Sequence, residues 1–136
     1  MAKRVYLDAN VLMAMFRGTH DIAHKAFEVI NDNEIEIVCS DALWLELMPK
    51  PLFNKNQEEV EFYQAIFDQS EYVRWDLEVL NDAKNIAKSY GIAAMDAIHV
   101  STAVHSRVDS LYTTEKPTKP MFRVPSITII SLASVL

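Results

Sequence analysis

Between residues 5 and 16 the chain is almost wholly apolar, and Asp8 is the only formal charge in that run. Val5, Tyr6 and Leu7 favour a strand. Their lack of polar alternation describes one covered on both faces, as in a parallel sheet held between helices. Asp8 and Asn10 favour turns and helix N-caps, while residues 11–16 can continue as a buried helix. Such a strand–turn–helix unit puts Asp8 at the carboxyl end of a central strand, beside the crevice where open α/β sheets bind ligands. A carboxylate against apolar surroundings is costly unless a donor or a cation compensates it. Asp8 can also simply cap the next helix, and this stretch alone does not separate the two roles.

The remaining chain repeats the alternation. Thr19-His20-Asp21 can cap a helix with Ala23, Ala26, Phe27 and Ile30 on its core stripe, ended by Asn31-Asp32-Asn33. Ile35, Ile37 and Cys39, interleaved with Glu34 and Glu36, mark a second strand. Ser40 caps a short helix over residues 41–48, which Pro49 and Pro51 stop, leaving a loop to residue 55. Asn56 and Glu59 form a capping-box pattern ahead of Val60, Tyr63, Ile66 and Phe67. Val73 and Trp75 mark a short strand. Asp76 caps a helix carrying Val79, Leu80, Ala83, Ile86, Ala87 and Tyr90, with Gly91 suited to its C′ position. Residues 93–106 read as a nearly uncharged helix, and residues 110–113 and 127–131 as strands. The expectation is a single α/β domain over residues 1–136, three-layered, with a central and mainly parallel sheet.

Charge and cysteine usage narrow the function. A net charge of −6 argues against a general electrostatic binder of nucleic acid. It leaves phosphate chemistry open where metal ions bound to acids reverse the local field. The single Cys39 makes no internal disulfide and suits a reducing, cytoplasmic setting. Asp8 and Asn10 interrupt the apolar run after Lys3-Arg4, which does not read as a signal peptide. No stretch approaches the roughly eighteen uncharged apolar residues of a membrane span. Two glycines are too few for a phosphate-cradling loop.

Two further carboxylates stand alone in apolar surroundings. Glu46 is the only charge in Ala42-Leu43-Trp44-Leu45-Glu46-Leu47-Met48. A helix apolar nearly all round is expected to be largely buried, which would put Glu46 in a confined site. Asp96 is the only formal charge between residues 91 and 104. Separately, Glu46 could reach solvent at a helix edge and Asp96 could favour the positive end of its helix. Three unpaired buried acids, however, destabilise a fold unless they share a cation. Converging acids that bind Mg²⁺ or Mn²⁺ explain all three together.

Val5-Tyr6-Leu7-Asp8-Ala9-Asn10-Val11-Leu12 resembles the opening motif of PIN-domain nucleases. Ser40-Asp41-Ala42-Leu43-Trp44-Leu45-Glu46-Leu47 is similar to their second motif, and Met95-Asp96-Ala97-Ile98-His99-Val100 to their third. Leu111-Tyr112-Thr113-Thr114-Glu115 stands in the place of a fourth, strand–Thr–X–Asp. The likeness covers the chain in order. It implies a Rossmann-like sheet with acids converging at the strand ends and a metal-dependent endoribonuclease, most often the toxin of a VapC-type toxin–antitoxin pair. RNA would then be the substrate, an antitoxin protein a partner, and a homodimer the expected assembly. Two departures are plain: Glu115 stands where the family usually has Asp, and residues 49–70 form a longer, more acidic connection.

On this resemblance Asp8, Glu46 and Asp96 hold one or two Mg²⁺ or Mn²⁺ ions, directly or through water. Glu115, one methylene longer than Asp, holds a second ion or its hydration shell. Phosphodiester hydrolysis uses one cation or a pair about 3.5–4 Å apart. Asn10 and Thr113 are expected as neutral hydrogen-bonding supports, and Asp41 as a first-turn acid facing the helix dipole. His99, one turn after Asp96, suits a proton shuttle or a satisfied part-buried histidine, and no partner can be assigned to it. His20, His24 and His105 show no ligand spacing. The methionines at helical spacing read mostly as core. Lys116, Lys119 and Arg123 follow the fourth motif in a net-positive tail, which suits RNA phosphate or ordinary loop solubility equally. Two other functions stay open. One is a phosphotransfer or phosphatase-type domain with Asp8 as acceptor, although Asn10 replaces the acid such phosphatases use. The other is a non-catalytic interaction protein of the same fold, at which Glu115 hints.

Overall fold

The computed structural model describes residues 2–133. Five parallel strands form one sheet: β1 (Lys3–Leu7), β2 (Ile35–Ser40), β3 (Glu71–Val73), β4 (Ser110–Thr113) and β5 (Thr128–Ser131), in the order β3-β2-β1-β4-β5. Helices α1 (Ala9–Arg17) and α2 (His20–Asn31) link β1 to β2. Helices α3 (Asp41–Leu47), α4 (Pro49–Phe53) and α5 (Gln57–Gln69) link β2 to β3, and α6 (Leu77–Tyr90) and α7 (Ala94–His105) link β3 to β4. A 3-10 turn at Pro120–Arg123 precedes β5.

β1 lies at the centre, and Val5, Tyr6 and Leu7 are all buried, as their unbroken apolar run requires. The chain steps outward from β1 to β2 to β3, then returns across β1 to β4. Right-handed crossovers place the first two sets of helices on one face and α6 with α7 on the other. The reversal falls between β1 and β4, whose carboxyl ends lie side by side. Leu7 pairs with Tyr112, and the Asp8 N–H donates to the Tyr112 carbonyl at 2.9 Å. The next residues, Asp8 and Thr113, therefore flank the crevice.

Local chemistry sets the element ends. Ser40 accepts the Leu43 N–H and opens α3, Asn56 accepts the Glu59 N–H and opens α5, and Asp76 accepts the Glu78 N–H and opens α6. The Asn56 amide also donates to the Glu59 carboxylate, so the capping pair closes through its two side chains. Gly91 ends α6 in the left-handed region with φ 66°.

Four expectations are corrected. Residues 49–53 form α4 instead of a loop. Its prolines fall in the first turn, where a missing N–H leaves no intrahelical bond unmade. Trp75 lies outside β3, because its N–H donates to the Asp41 carboxylate at 2.7 Å and draws the backbone off the ladder. Phe27 is exposed, while α2 turns Ala23 and Ala26 inward. α3 is not largely buried. Seven residues long, it sits over the end of the sheet with Ala42, Leu43 and Leu47 facing inward, which leaves Leu45 59% exposed and Glu46 exposed. Met15, Met48 and Met121 are buried in the core. Among the described residues no helix is long and apolar enough to cross a membrane.

Candidate metal centre

Asp8 is 4% exposed, and both its oxygens are engaged. Oδ1 accepts the Ala9 N–H at 2.8 Å, and Oδ2 accepts the Thr113 O–H at 3.1 Å. Capping and crevice roles therefore coexist in one side chain. Burial raises its pKa; the His99 ring, the Thr113 hydroxyl and the Ala9 N–H oppose the rise, and the Glu46 charge adds to it. Thr113 in turn accepts the Glu115 N–H at 3.2 Å, and Asn10 Oδ1 accepts the Thr114 N–H at 3.2 Å. Asn10 and Thr113 thus tie the segment after β4 to the segment after β1.

Glu46 and His99 meet Asp8 from separate elements. Glu46 reaches in from α3, and its Oε1 meets His99 Nε2 of α7. The same ring nitrogen stands 3.9 Å from Asp8 Oδ1. One donor atom each of Asp8, Glu46 and His99 lies within 4.8 Å of the others. Asp96 lies half-buried in the first turn of α7. Burial raises its pKa, the Asp8 and Glu115 charges raise it further, His99 opposes, and Glu46 adds. Asp96 thus senses all three of the other acids.

Asp8 and Glu46 repel one another, and Asp96 is repelled by Asp8, Glu115 and Glu46, unless a cation lies among them. Among the described residues no lysine or arginine pairs with any of the four, and His99 is the only side chain in an ion-pair contact with Asp8 or Glu46. Carboxylate oxygens such as those of Asp8 and Glu46 suit a hard divalent ion such as Mg²⁺ or Mn²⁺. The donor set therefore fits the ion expected of it.

The sequence offers His99 as a proton shuttle or a satisfied histidine, and not as a member of the ion site. Its signal was present: three residues after Asp96, it shares that residue's helix face, on a helix with no other formal charge in that stretch. What the sequence lacked was a partner, because Tyr6 and Glu46 are distant in the chain. Asp41 stays outside the site, its two oxygens taken by the Tyr72 hydroxyl at 2.5 Å and the Trp75 N–H. Lys116 and Lys119 are exposed beyond β4. Arg123 donates to the Tyr90 carbonyl at 2.9 Å and closes the end of α6. A cleft of about 240 Å³ opens beside Glu46, with Arg17, Lys50, Asn54 and Tyr63 among its walls. Nothing in the sequence had grouped these residues.

The family model described as PIN domain matches residues 5–116. A comparison with curated proteins finds no match. Solved structures of the same fold include VapBC2 from Rickettsia felis bound to a DNA fragment from its promoter. That match has a TM-score of 0.73 and 16% identity, over 94% of this chain and 98% of that one. A toxin–antitoxin complex from Klebsiella pneumoniae matches with a TM-score of 0.72 and 18% identity, over 96% and 99% of the two chains. DNA-bound VapBC from Salmonella typhimurium matches at 0.72 and 15%, over 98% and 100%.

Proposed function

The chain belongs to the PIN domain family, a family of nucleases, and we propose that it is a Mg²⁺- or Mn²⁺-dependent endoribonuclease serving as the toxin of a toxin–antitoxin pair. The observation that carries this reading is the meeting of Asp8, Glu46 and His99 within 4.8 Å at the end of β1, with the charges of Asp8, Glu115 and Glu46 felt at Asp96 and no lysine or arginine paired with these acids among the described residues.

In this reading Asp8, Glu46 and Asp96 hold the ion, and Glu115 contributes a longer, looser arm. The ion, when bound, lowers the pKa of water and offsets the charge of a phosphodiester. The protein's own part is positional. The Thr113 hydroxyl and the Ala9 N–H fix the plane of Asp8. Asn10 and Thr113 fix the backbone that carries Glu115. Burial of Asp8 keeps water from loosening these bonds. Arg17 and Lys50 in the cleft beside Glu46, and Lys116 and Lys119 exposed after β4, suit the phosphates of an RNA strand.

The similar solved structures include a toxin–antitoxin complex, which supports an antitoxin as partner here. An antitoxin arginine set against the four acids would inhibit by charge-assisted pairing. A homodimer completes the proposed assembly.

The test is cleavage of single-stranded RNA in EDTA, Mg²⁺ and Mn²⁺. Cleavage should require the added ion and should be lost in Asp8→Asn. Cleavage that persists in EDTA would exclude the metal-dependent reading.

A further inference from the structure

Beneath the acids, four polar side chains join in one line. Ser40 Oγ lies 2.7 Å from Tyr6 Oη, Tyr6 Oη lies 2.7 Å from His99 Nδ1, and His99 Nε2 meets Glu46 Oε1. Ser40, Tyr6 and His99 are 2%, 0% and 1% exposed. Solvent does not reach them, so the three must satisfy one another.

Two directions of donation can be drawn along the line, and only one closes. Ser40 Oγ already accepts the Leu43 N–H at 3.2 Å, and among the described residues its hydroxyl meets no acceptor other than Tyr6. If Tyr6 donated to Ser40, the Ser40 hydrogen would be stranded in the core. A neutral His99 would then carry its proton on Nδ1 and turn the bare lone pair of Nε2 toward the Glu46 oxygen. A doubly protonated ring would still strand the Ser40 hydrogen. In the opposite direction Ser40 donates to Tyr6, Tyr6 donates to Nδ1, and Nε2–H donates to Glu46. Every hydrogen then has an acceptor.

We propose that Ser40, Tyr6 and His99 form a directed hydrogen-bond line that presents the Nε2–H of His99 to Glu46, so that His99 positions the Glu46 carboxylate and does not itself ligate the ion. The proposal rests on the reading of the four acids as ion holders. A histidine ligand would need the reverse arrangement, with Nδ1–H donating to a neighbouring acceptor and Nε2 bare. Glu46 needs such an anchor because it extends from the exposed side of a short helix, and a free glutamate side chain keeps several rotamers. Pinning Oε1 leaves Oε2 for the ion.

The experiment uses the intact protein with ¹⁵N-labelled histidine. Long-range ¹⁵N–¹H spectra of the metal-free protein should show His99 protonated on Nε2 and accepting on Nδ1. The pulsed EPR spectrum of the Mn²⁺ complex should lack the coupling of a directly bound ¹⁵N. Tyr6→Phe keeps the ring in the core and removes the donor to Nδ1. Its His99 should lose the single Nε2–H form, its Mg²⁺ affinity by calorimetry should fall about tenfold, and kcat on RNA should fall more than KM changes. An Nδ1–H tautomer, or direct ¹⁵N coupling to Mn²⁺, would overturn the proposal. So would Tyr6→Phe with unchanged tautomer and affinity. If the wild type binds neither Mg²⁺ nor Mn²⁺, the nuclease reading falls and ion holding with it, while the metal-free spectrum still decides the direction of the line.

Discussion

Asp8 shows how one side chain serves the fold and the site together. Its Oδ1 takes the first free N–H of α1 and its Oδ2 the hydroxyl of Thr113, yet the group is also the most buried of the four acids. Replacing it with Asn keeps an oxygen for the Ala9 N–H, so the helix start should survive. The charge that repels Asp96 and Glu46 is gone. Asp8→Asn should therefore fold at least as stably as the wild type in denaturant titrations without metal, while calorimetric Mg²⁺ binding and RNA cleavage disappear. A helix cap alone would leave both assays unchanged. Thr113→Val removes the donor to Asp8 and the acceptor of the Glu115 N–H together. We expect a loss of about 1–3 kcal/mol in stability, as for buried groups left without partners, together with weaker Mg²⁺ binding. Glu115→Ala should slow cleavage less than Asp8→Asn and raise the Mg²⁺ concentration required. A dead Glu115→Ala beside an active Asp8→Asn would reverse this ranking of the acids.

At the scale of elements, what was legible in the sequence followed from local rules. β4 at Ser110–Thr113 and the caps at Ser40, Asn56 and Asp76 depend on residues close in the chain. The misses depend on contacts made across it. Pro49 and Pro51 read as helix breakers, but whether a proline ends one helix or begins the next depends on where the chain must turn. Trp75 has the composition of a strand residue, yet Asp41, 34 positions away, takes its N–H. α3 reads as buried because its burial is set by what lies above the sheet's end, and there the crevice is open. The Tyr6–His99 contact spans 93 positions and has no local signature. The two glycines test the element ends directly. Gly18 and Gly91 both adopt left-handed φ, 67° and 66°, so alanine at either should cost roughly 1–2 kcal/mol. At Gly91 a Cβ would also stand 3.4 Å from Arg123 Nη1, the group that holds the Tyr90 carbonyl. Thermal melts should show Gly91→Ala as at least as destabilising as Gly18→Ala. A Gly91→Ala as stable as the wild type would rule out left-handed strain at the end of α6.

For the whole molecule, the acid centre and the stability of the sheet are linked through protons and metal. The order β3-β2-β1-β4-β5 brings the segments after β1 and β4 together, and the helices supply Glu46 and Asp96. The fold therefore concentrates negative charge where its central strands end. Asp8 and Asp96 both have pKa values raised from the ordinary 3.8, burial being the largest cause in each. The folded chain thus holds these protons more tightly than the unfolded one, and metal-free stability must fall as pH rises from about that ordinary value through the raised ones. Below the window both states are protonated and these groups carry no penalty; above it the penalty is complete. Other carboxylates titrate nearby, so the informative quantity is the difference between Asp8→Asn and the wild type. That difference should favour Asp8→Asn at neutral pH without metal and shrink as pH falls toward 4. A cation that binds only the folded state acts in the opposite sense. At a hundred times its Kd it should add about 2.7 kcal/mol to the wild type, remove the advantage of Asp8→Asn, and lose its effect in acid as protons displace it. Denaturant titrations of both proteins at three pH values, with EDTA and with Mg²⁺, resolve every part of this. Equal stabilisation of Asp8→Asn by Mg²⁺ would show that the ion binds elsewhere and that the four acids do not share it.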